Sequence, residues 1–332
     1  MKQVTILVPH GGMMGSIEMP RQVFSEVNAY LESTGKPPLF RIQMAGLAAQ
    51  VPVNNDRYLV NTDAQLKDIK QTDLIIIPAL EADMDKYLAK NSEFIPWMVK
   101  QYKGGAEIAS LCVGAFLLAS TGLLTGRRCT THWRAVNVFK RMFPEIELVE
   151  DKIITDERGI YSSGGGLSFV NLLLYLVEKF AGQAPFIFCS KFFQVDMDRK
   201  AQSPFIIFNG QKDHEDESIR KAQEFIEKNI HQRITVDQLA NMLALGKRNL
   251  ERRFKKATSN TVGEYTQRVK IEAAKASLVS SRYNVNEVMY SVGYTSTKAF
   301  RTTFKRITGL SPVQYRAKYN WEQVAGHIMK EN

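Results

Sequence analysis

Hydrophobic and polar positions change their rhythm about two thirds of the way along this chain. Through the first part, short apolar runs alternate with amphipathic stretches. Val4-Thr5-Ile6-Leu7-Val8-Pro9 reads as a buried strand, and a glycine-rich turn follows at His10-Gly11-Gly12, with Gly15 just beyond. Met19 to Leu31 has the period of an amphipathic helix, and Phe40 to Met44 alternates as a second strand. Tyr58-Leu59-Val60 begins a small excursion. Asp73 to Pro78 is a continuous apolar run closed by proline, the mark of a central parallel strand. A helix is predicted from about Asn91 to Tyr102, a buried strand over Ala106–Leu111, and a glycine-led helix within Ser162–Gly182. Strands alternating with helices predict a flavodoxin-like, doubly wound parallel sheet covered on both faces.

Beyond residue 210 the apolar spacing is helical throughout. Ser203–Ile207 leads out of the first region, a linker is expected near Asn209–Glu215, and a helix follows at Ser218–Asn229. The expected domains are therefore 1–210 and 211–332. Thr235 is a plausible N-cap, with Val236, Leu239, Ala240 and Leu243 on one face. Leu245-Gly246 makes a turn into a second helix anchored by Leu250 and Phe254. Its outward positions are Lys247, Arg248, Asn249, Arg252, Arg253, Lys255 and Lys256. This is the pattern of a helix-turn-helix whose second helix enters the major groove of DNA.

The pattern occurs twice. Leu250, Phe254, Lys255, Thr258 and Tyr265 recur as Phe300, Phe304, Lys305, Thr308 and Tyr315, each 50 residues on (300 − 250 = 50). Ahead of the turn the offset is 49, as in Val236 to Val285, so the second turn is one residue longer. Two such units suit two successive major grooves about 34 Å apart, with Val262–Ser281 as the spacer helix. In the second unit Thr297, Lys298, Arg301 and Thr302 take the groove-facing places. Arg252 is the best candidate for bidentate contact with guanine. Lys247, Lys255, Lys256, Lys305 and Arg306 suit phosphates.

Val292 to Arg316 resembles the AraC/XylS-type DNA-binding domain. It supplies Gly293, Tyr294, Ser296, Phe300, Phe304, Lys305, Gly309, Pro312, Tyr315 and Arg316 in that family's pattern, and the likeness extends over roughly Asp216–Tyr319. It departs from the pattern at Met289, at Gly246 where a serine cap is usual, and at Ser259-Asn260 where a glycine is usual. There Asn is expected to take the left-handed conformation.

Charge agrees with that division. Residues 212–332 carry 22 Lys+Arg against 13 Asp+Glu, a net of +9, leaving +1 of the chain's +10 to residues 1–211. A basic reader attached to a neutral sensor is the expected arrangement. Cys112, Cys129 and Cys189 are widely spaced and the histidines are not clustered, so neither a disulfide framework, a metal site nor a cofactor is expected. No run approaches a membrane span or a signal peptide, and a cytoplasmic, nucleoid-associated protein is expected.

Ser110-Leu111-Cys112-Val113-Gly114 has the form of a nucleophile elbow between strand and helix. A helix N-terminus beneath Cys112 favours a thiolate or a bound anion. A buried inert cysteine is the competing reading. The run from Ala115 to Trp133 is similar to ThiJ/PfpI-like domains of the class I glutamine amidotransferase-like group. It is most similar to those fused to AraC-type readers, the GlxA-like regulators. That resemblance covers most of residues 1–205. It implies a homodimer and a small nitrogenous metabolite as effector, with RNA polymerase as a further partner.

Enzymes of the group place His after the cysteine, or Thr there together with an acid near the first helix. Here Val113 follows Cys112, Ser16 stands in the acid's place and Glu18 is nearby. The chain is therefore expected not to be an enzyme. The alternative is a cysteine-dependent hydrolase or hydratase tethered to DNA, with His132 as base. The expected ligand pocket is lined by Gly11, Gly12, Glu18, Ala79, Cys112, Val113, His132 and Trp133, with Glu18 and Trp133 suited to a cationic amine.

Overall fold

A computed structural model describes residues 1–196 and 201–320, which form two compact units, Met1–Gln202 and the chain from Ser203 on. In the first unit the elements run β1 (Lys2–Val8), α1 (Met14–Ser33), β2 (Phe40–Gly46), β3 (Gln50–Val53), β4 (Tyr58–Asn61), β5 (Ala64–Gln65) and β6 (Leu74–Ile77). There follow α2 (Met84–Lys90), α3 (Phe94–Lys103), β7 (Glu107–Ser110), α4 (Ala115–Ala119), β8 (Arg128–Cys129), α5 (Val136–Met142) and β9 (Glu147–Leu148). The unit closes with β10 (Ile154–Asp156), β11 (Ile160–Ser163), α6 (Phe169–Ala181) and α7 (Gln183–Phe192).

The main sheet has the order β10-β11-β7-β6-β1-β2-β5 and is parallel except for the β10–β11 pair. Its alternating side chains feed two cores. Val4, Ile6, Ile76 and Ala109 face α1 and α6, whereas Leu7, Ile75, Ile77 and Ile108 face α3 and α4. All four residues of β6 are buried, the two-sided burial its unbroken apolar run predicts. Because β1, β6, β7 and β11 run in parallel, the loops after Val8, Ile77, Ser110 and Ser163 meet at one edge of the sheet.

Three expected elements change. α1 begins at Met14, five residues before the expected start, because its first N–H groups find partners outside the helix: Met14 N–H donates to Asn54 Oδ1 at 2.6 Å, 40 residues away. The helix expected over Asn91–Tyr102 is the second of two, α2 and α3. Asn91 breaks them apart, its side chain exchanging 2.9 Å bonds with both backbone groups of His10. Tyr58–Val60 belongs to a hairpin, β3–β4, that lies outside the main sheet.

The second unit contains α8 (Glu217–Lys228), α9 (Val236–Met242), α10 (Lys247–Thr258), α11 (Val262–Ser280), α12 (Val285–Ser291), α13 (Thr297–Thr308) and α14 (Pro312–Tyr319). The segment expected as a linker is part of it. Lys275 Nζ donates to the Ile206 carbonyl at 2.6 Å, and Phe208 N–H donates to Glu272 at 3.1 Å. The Phe208 ring meets Tyr265 edge-on. The run Ser203–Ile207, expected to lead out of the first region, thus belongs with the helices, which moves the boundary to 202/203.

Each helix-turn-helix has its own core. Leu239, Leu250, Phe254 and Tyr265 fill the first, and Val288, Phe300, Phe304 and Tyr315 the second. Burying each Phe contributes about 1.5–3 kcal/mol. Thr235 caps α9 by accepting from Gln238 N–H, and Ser296 caps α13, but Gly246 leaves α10 without a side-chain cap. At the end of α10 the left-handed residue is Ser259 (φ 56°), not Asn260. Asn260 is buried instead, its Nδ2 donating to Thr258 O at 2.7 Å and Gln211 Oε1 at 2.9 Å.

Lys270, on α11, ties the two helix-turn-helices together. Its buried ammonium donates to the Gln232 carbonyl at 3.0 Å and the Gly293 carbonyl at 3.4 Å, and burial pushes its pKa down.

Candidate functional site

The edge where β1, β6, β7 and β11 end carries the first site. Cys112 stands at the expected elbow with φ 55°, a left-handed conformation that a side chain adopts only when its surroundings enforce it. Leu111 N–H donates to Ile77 O at 2.9 Å, and Cys112 N–H donates to Ser163 Oγ at 3.2 Å. Gly114 has no alternative at its place: a Cβ there would lie 2.5 Å from the Pro78 oxygen and 2.8 Å from that of Ile77.

The strained turn does not produce the thiolate expected of it. Burial pushes the half-buried Cys112 thiol up, and the N–H groups of Val113 and Gly166 offset this only in part. The helix end is too short and the surroundings too dry to hold the charge. At neutral pH iodoacetamide is therefore expected to alkylate Cys112 more slowly than a free thiol, with the rate rising only above the ordinary thiol pKa. Mass spectrometry of the trapped peptide across a pH series checks this, and fast labelling at pH 7 would contradict it.

His132 lies beside this turn through the glycine loop. Thr131 Oγ1 donates to Cys112 O at 3.0 Å, and the His132 ring fills the space a Cβ on Gly165 would need. Its Nδ1 accepts from Arg134 N–H at 3.0 Å, and burial followed by the Arg134 charge lowers its pKa. The ring is a neutral cap on a backbone turn. Trp133 is half-buried, its ring tilted against His132 at 5.4 Å.

The first loop is closed by residues that periodicity does not reveal. Gly11 (φ 72°) sits on the Tyr87 ring, with no room for a side chain, and accepts from Glu81 N–H at 2.9 Å. Glu81, itself buried, accepts from Tyr87 Oη at 2.6 Å, which raises the Tyr87 pKa to about 12, and it also accepts from Asn55 N–H. Gly12 accepts from Asn54 N–H at 3.1 Å. Ala79 donates to Ser16 Oγ at 2.9 Å and accepts from Met13 N–H at 2.8 Å, so both its backbone groups are engaged.

Gly11, Gly12, Ala79, Cys112, Val113 and His132 thus share one sheet edge. Glu18 departs from its expected role. Arg21 Nε bonds Glu18 Oε2 at 2.8 Å, Arg21 Nη2 and Gln22 take the other oxygen, and Arg21 holds the carboxyl below its usual range. Its charge is already compensated on the helix that bears it. Among the described residues no group of three or more His, Cys, Asp or Glu is placed to hold a metal ion, and no helix is long and apolar enough to cross a membrane.

The second site is the outer face of α10 and α13. Lys247, Arg248, Arg252 and Lys256 are exposed on α10, and Asn249 is half-buried. Arg252 Nη2 donates to Asn249 Oδ1 at 3.2 Å, which steers the guanidinium along the helix face. Thr297, Lys298, Arg301, Thr302 and Lys305 are exposed on α13. Arg253 does not belong to this row. Its Nε and Nη2 bind the two oxygens of Asp216 at 2.8 and 2.6 Å, and that carboxylate also caps α8. The sequence rhythm places Arg253 outward, but position 253 borders the core and its charge is spent on joining α8 to α10.

The chain matches two family models, the DJ-1/PfpI family over residues 4–179 and a helix-turn-helix domain over residues 239–318. It is 25% identical over 269 residues to the HTH-type transcriptional regulator CdhR of Pseudomonas aeruginosa, covering 78% of this chain and 76% of that one. It is 24% identical over 272 residues to the regulator ArgR of the same organism, covering 81% of each. Among solved structures it is similar to an AraC family transcriptional regulator from Pseudomonas putida. That match has a TM-score of 0.50 at 18% identity and covers 58% of this chain and all (100%) of that one, a likeness of fold.

Proposed function

We propose, from the premise that this chain belongs to the DJ-1/PfpI family and is an AraC-type transcriptional regulator, that a small nitrogenous metabolite bound at the elbow edge controls how α10 and α13 read two successive major grooves. The observation that carries the reading is the matched pair of recognition helices. Each has a buried aromatic or aliphatic anchor on one side, Leu250 and Phe254 or Phe300 and Phe304, and an exposed row of long donors on the other. Arg248, Asn249, Arg252, Thr297, Lys298, Arg301 and Thr302 are the proposed base-facing residues, with Lys247, Lys256 and Lys305 toward phosphates.

The metabolite site deepens that reading. In parallel α/β sheets ligands bind beyond the carboxyl ends of the strands, and Gly11, Gly12, Ala79, Cys112, Val113, His132 and Trp133 are the proposed lining there. Turnover is not part of the proposal. A protonated thiol, a valine next to it and a histidine whose Nδ1 serves the backbone provide shape and polarity for binding without an activated nucleophile. The working form is proposed to be a homodimer that contacts RNA polymerase.

The test is a thermal-shift screen of the full chain against amino acids, betaines, polyamines and aldehydes. A ligand at 100 times its Kd stabilises by about 2.7 kcal/mol. A shift that is altered in Cys112→Ala and accompanied by changed operator affinity is the expected result. No shift across the library would sink the sensor reading, and conversion of any hit to product would replace it with the hydrolase or hydratase.

A further inference from the structure

α10 carries one residue of the wrong sign for its surroundings. Glu251 is exposed on a helix that otherwise presents Lys247, Arg248, Arg252, Lys255 and Lys256. A carboxylate there faces the same polyanion the lysines attract. The ordinary explanation is an ion pair one helical turn away, since positions i ± 4 are neighbours. Both such neighbours are lysines, and both are drawn elsewhere. Lys247 Nζ bonds Asp237 at 3.1 Å. Lys255 Nζ donates to the Ser259 carbonyl at 2.9 Å and lies 3.8 Å from Glu264. Arg252, the adjacent guanidinium, donates to Asn249. Among the described residues Glu251 makes no ion pair and no side-chain hydrogen bond.

The matching residue of the second helix, 50 positions on (251 + 50 = 301), is Arg301, also exposed. Two units that agree in their anchors and caps' spacing therefore carry opposite charges at one outward place. A bare carboxylate is repelled by phosphate and finds no donor on the major-groove edge of guanine or thymine. It does find one in the exocyclic amino group of cytosine N4 or adenine N6. An arginine at that place has the complementary preference, for the acceptors of guanine.

We propose that Glu251 is a base-reading residue of α10 that accepts a hydrogen bond from a cytosine or adenine amino group, so that the two half-sites differ in sequence. This rests on the placement of α10 in the major groove. The experiment is a selection of bound duplexes from a random-sequence library, sequenced for the full chain and for Glu251→Ala, Glu251→Gln and Arg252→Ala.

In the parent chain one position is expected to favour C or A. Its preference falls about 5- to 150-fold in Glu251→Ala while the other positions hold. A parent preference for C that Glu251→Gln moves toward A identifies cytosine. A preference for A that glutamine keeps identifies adenine, because glutamine bonds both its N6 and N7. Unchanged preferences with uniformly tighter binding in Glu251→Ala would overturn the proposal. If Arg252→Ala also changes no position and does not weaken binding, the groove placement itself fails. If it changes one and Glu251→Ala none, only the role of Glu251 does. The side chain is exposed, so unaltered melting of each variant verifies the fold.

Discussion

Gly293→Ala is expected to lower the stability of the helical unit by about 2–5 kcal/mol, the sum of a left-handed alanine and an overpacked backbone contact. Gly293 has φ 73°, and an added Cβ would overlap the carbonyl of His231 in the loop after α8. A backbone carbonyl cannot rotate away as a side chain can. Gly293 also supplies the oxygen that receives Lys270, so the same change disturbs the joint between the two helix-turn-helices. The consequence for function exceeds that for folding. Binding to a full two-groove site needs both helices in phase, and loosening their joint returns each to its own weaker affinity.

Thermal melting and titration of full-length and half-site duplexes check this. The full-site advantage should shrink while half-site binding survives at a temperature where the variant is folded. The first turn provides the contrast. Ala244, 49 residues earlier (293 − 49 = 244), is itself left-handed at φ 51° but exposed. Ala244→Gly is expected to be neutral or to stabilise by up to about 1 kcal/mol. Equal destabilisation by the two substitutions would show that Gly293 is kept for reasons other than its contact.

These two turns illustrate how much of the molecule is legible in its sequence. The repeat of Leu250 and Phe254 as Phe300 and Phe304 gives the helical unit directly, because a buried face imposes a period that survives without knowledge of the fold. The elbow is equally legible: Gly114 is small because two carbonyls of the neighbouring strand's end leave no room, and Cys112 follows from it. What stays hidden is carried by partners distant in the chain. Asn54 starts α1 from 40 residues away, Asn91 clamps His10 from 81 away, and Asp216 withdraws Arg253 from 37 away. No local period encodes such pairs. The protonation of Cys112 is hidden for a related reason. A sequence shows the helix end that lowers a thiol pKa but not the depth of burial that raises it.

Arg252→Ala is expected to weaken binding to the specific operator by about 1–3 kcal/mol, roughly 5- to 150-fold, and to relax the preference at one base position. On a helix with Leu250 and Phe254 inward, residue 252 points farthest from the core, and Arg252 is exposed there. Among the described residues its guanidinium is held by Asn249 rather than by a carboxylate, so the charge remains available and only one of its five donors is occupied there. A fork held in place loses less entropy on meeting guanine O6 and N7 than a free one does. Asn249→Ala should therefore reproduce part of the loss with no change in net charge. Arg253→Ala is expected to behave differently. It removes the partner of Asp216, which should lower thermal stability without changing any base preference. Binding isotherms on matched and single-mismatch duplexes at two salt concentrations separate the cases. A loss from Arg252→Ala that is equal on every sequence and tracks salt would assign it to phosphate. A loss confined to one base pair would make it the reader of that pair.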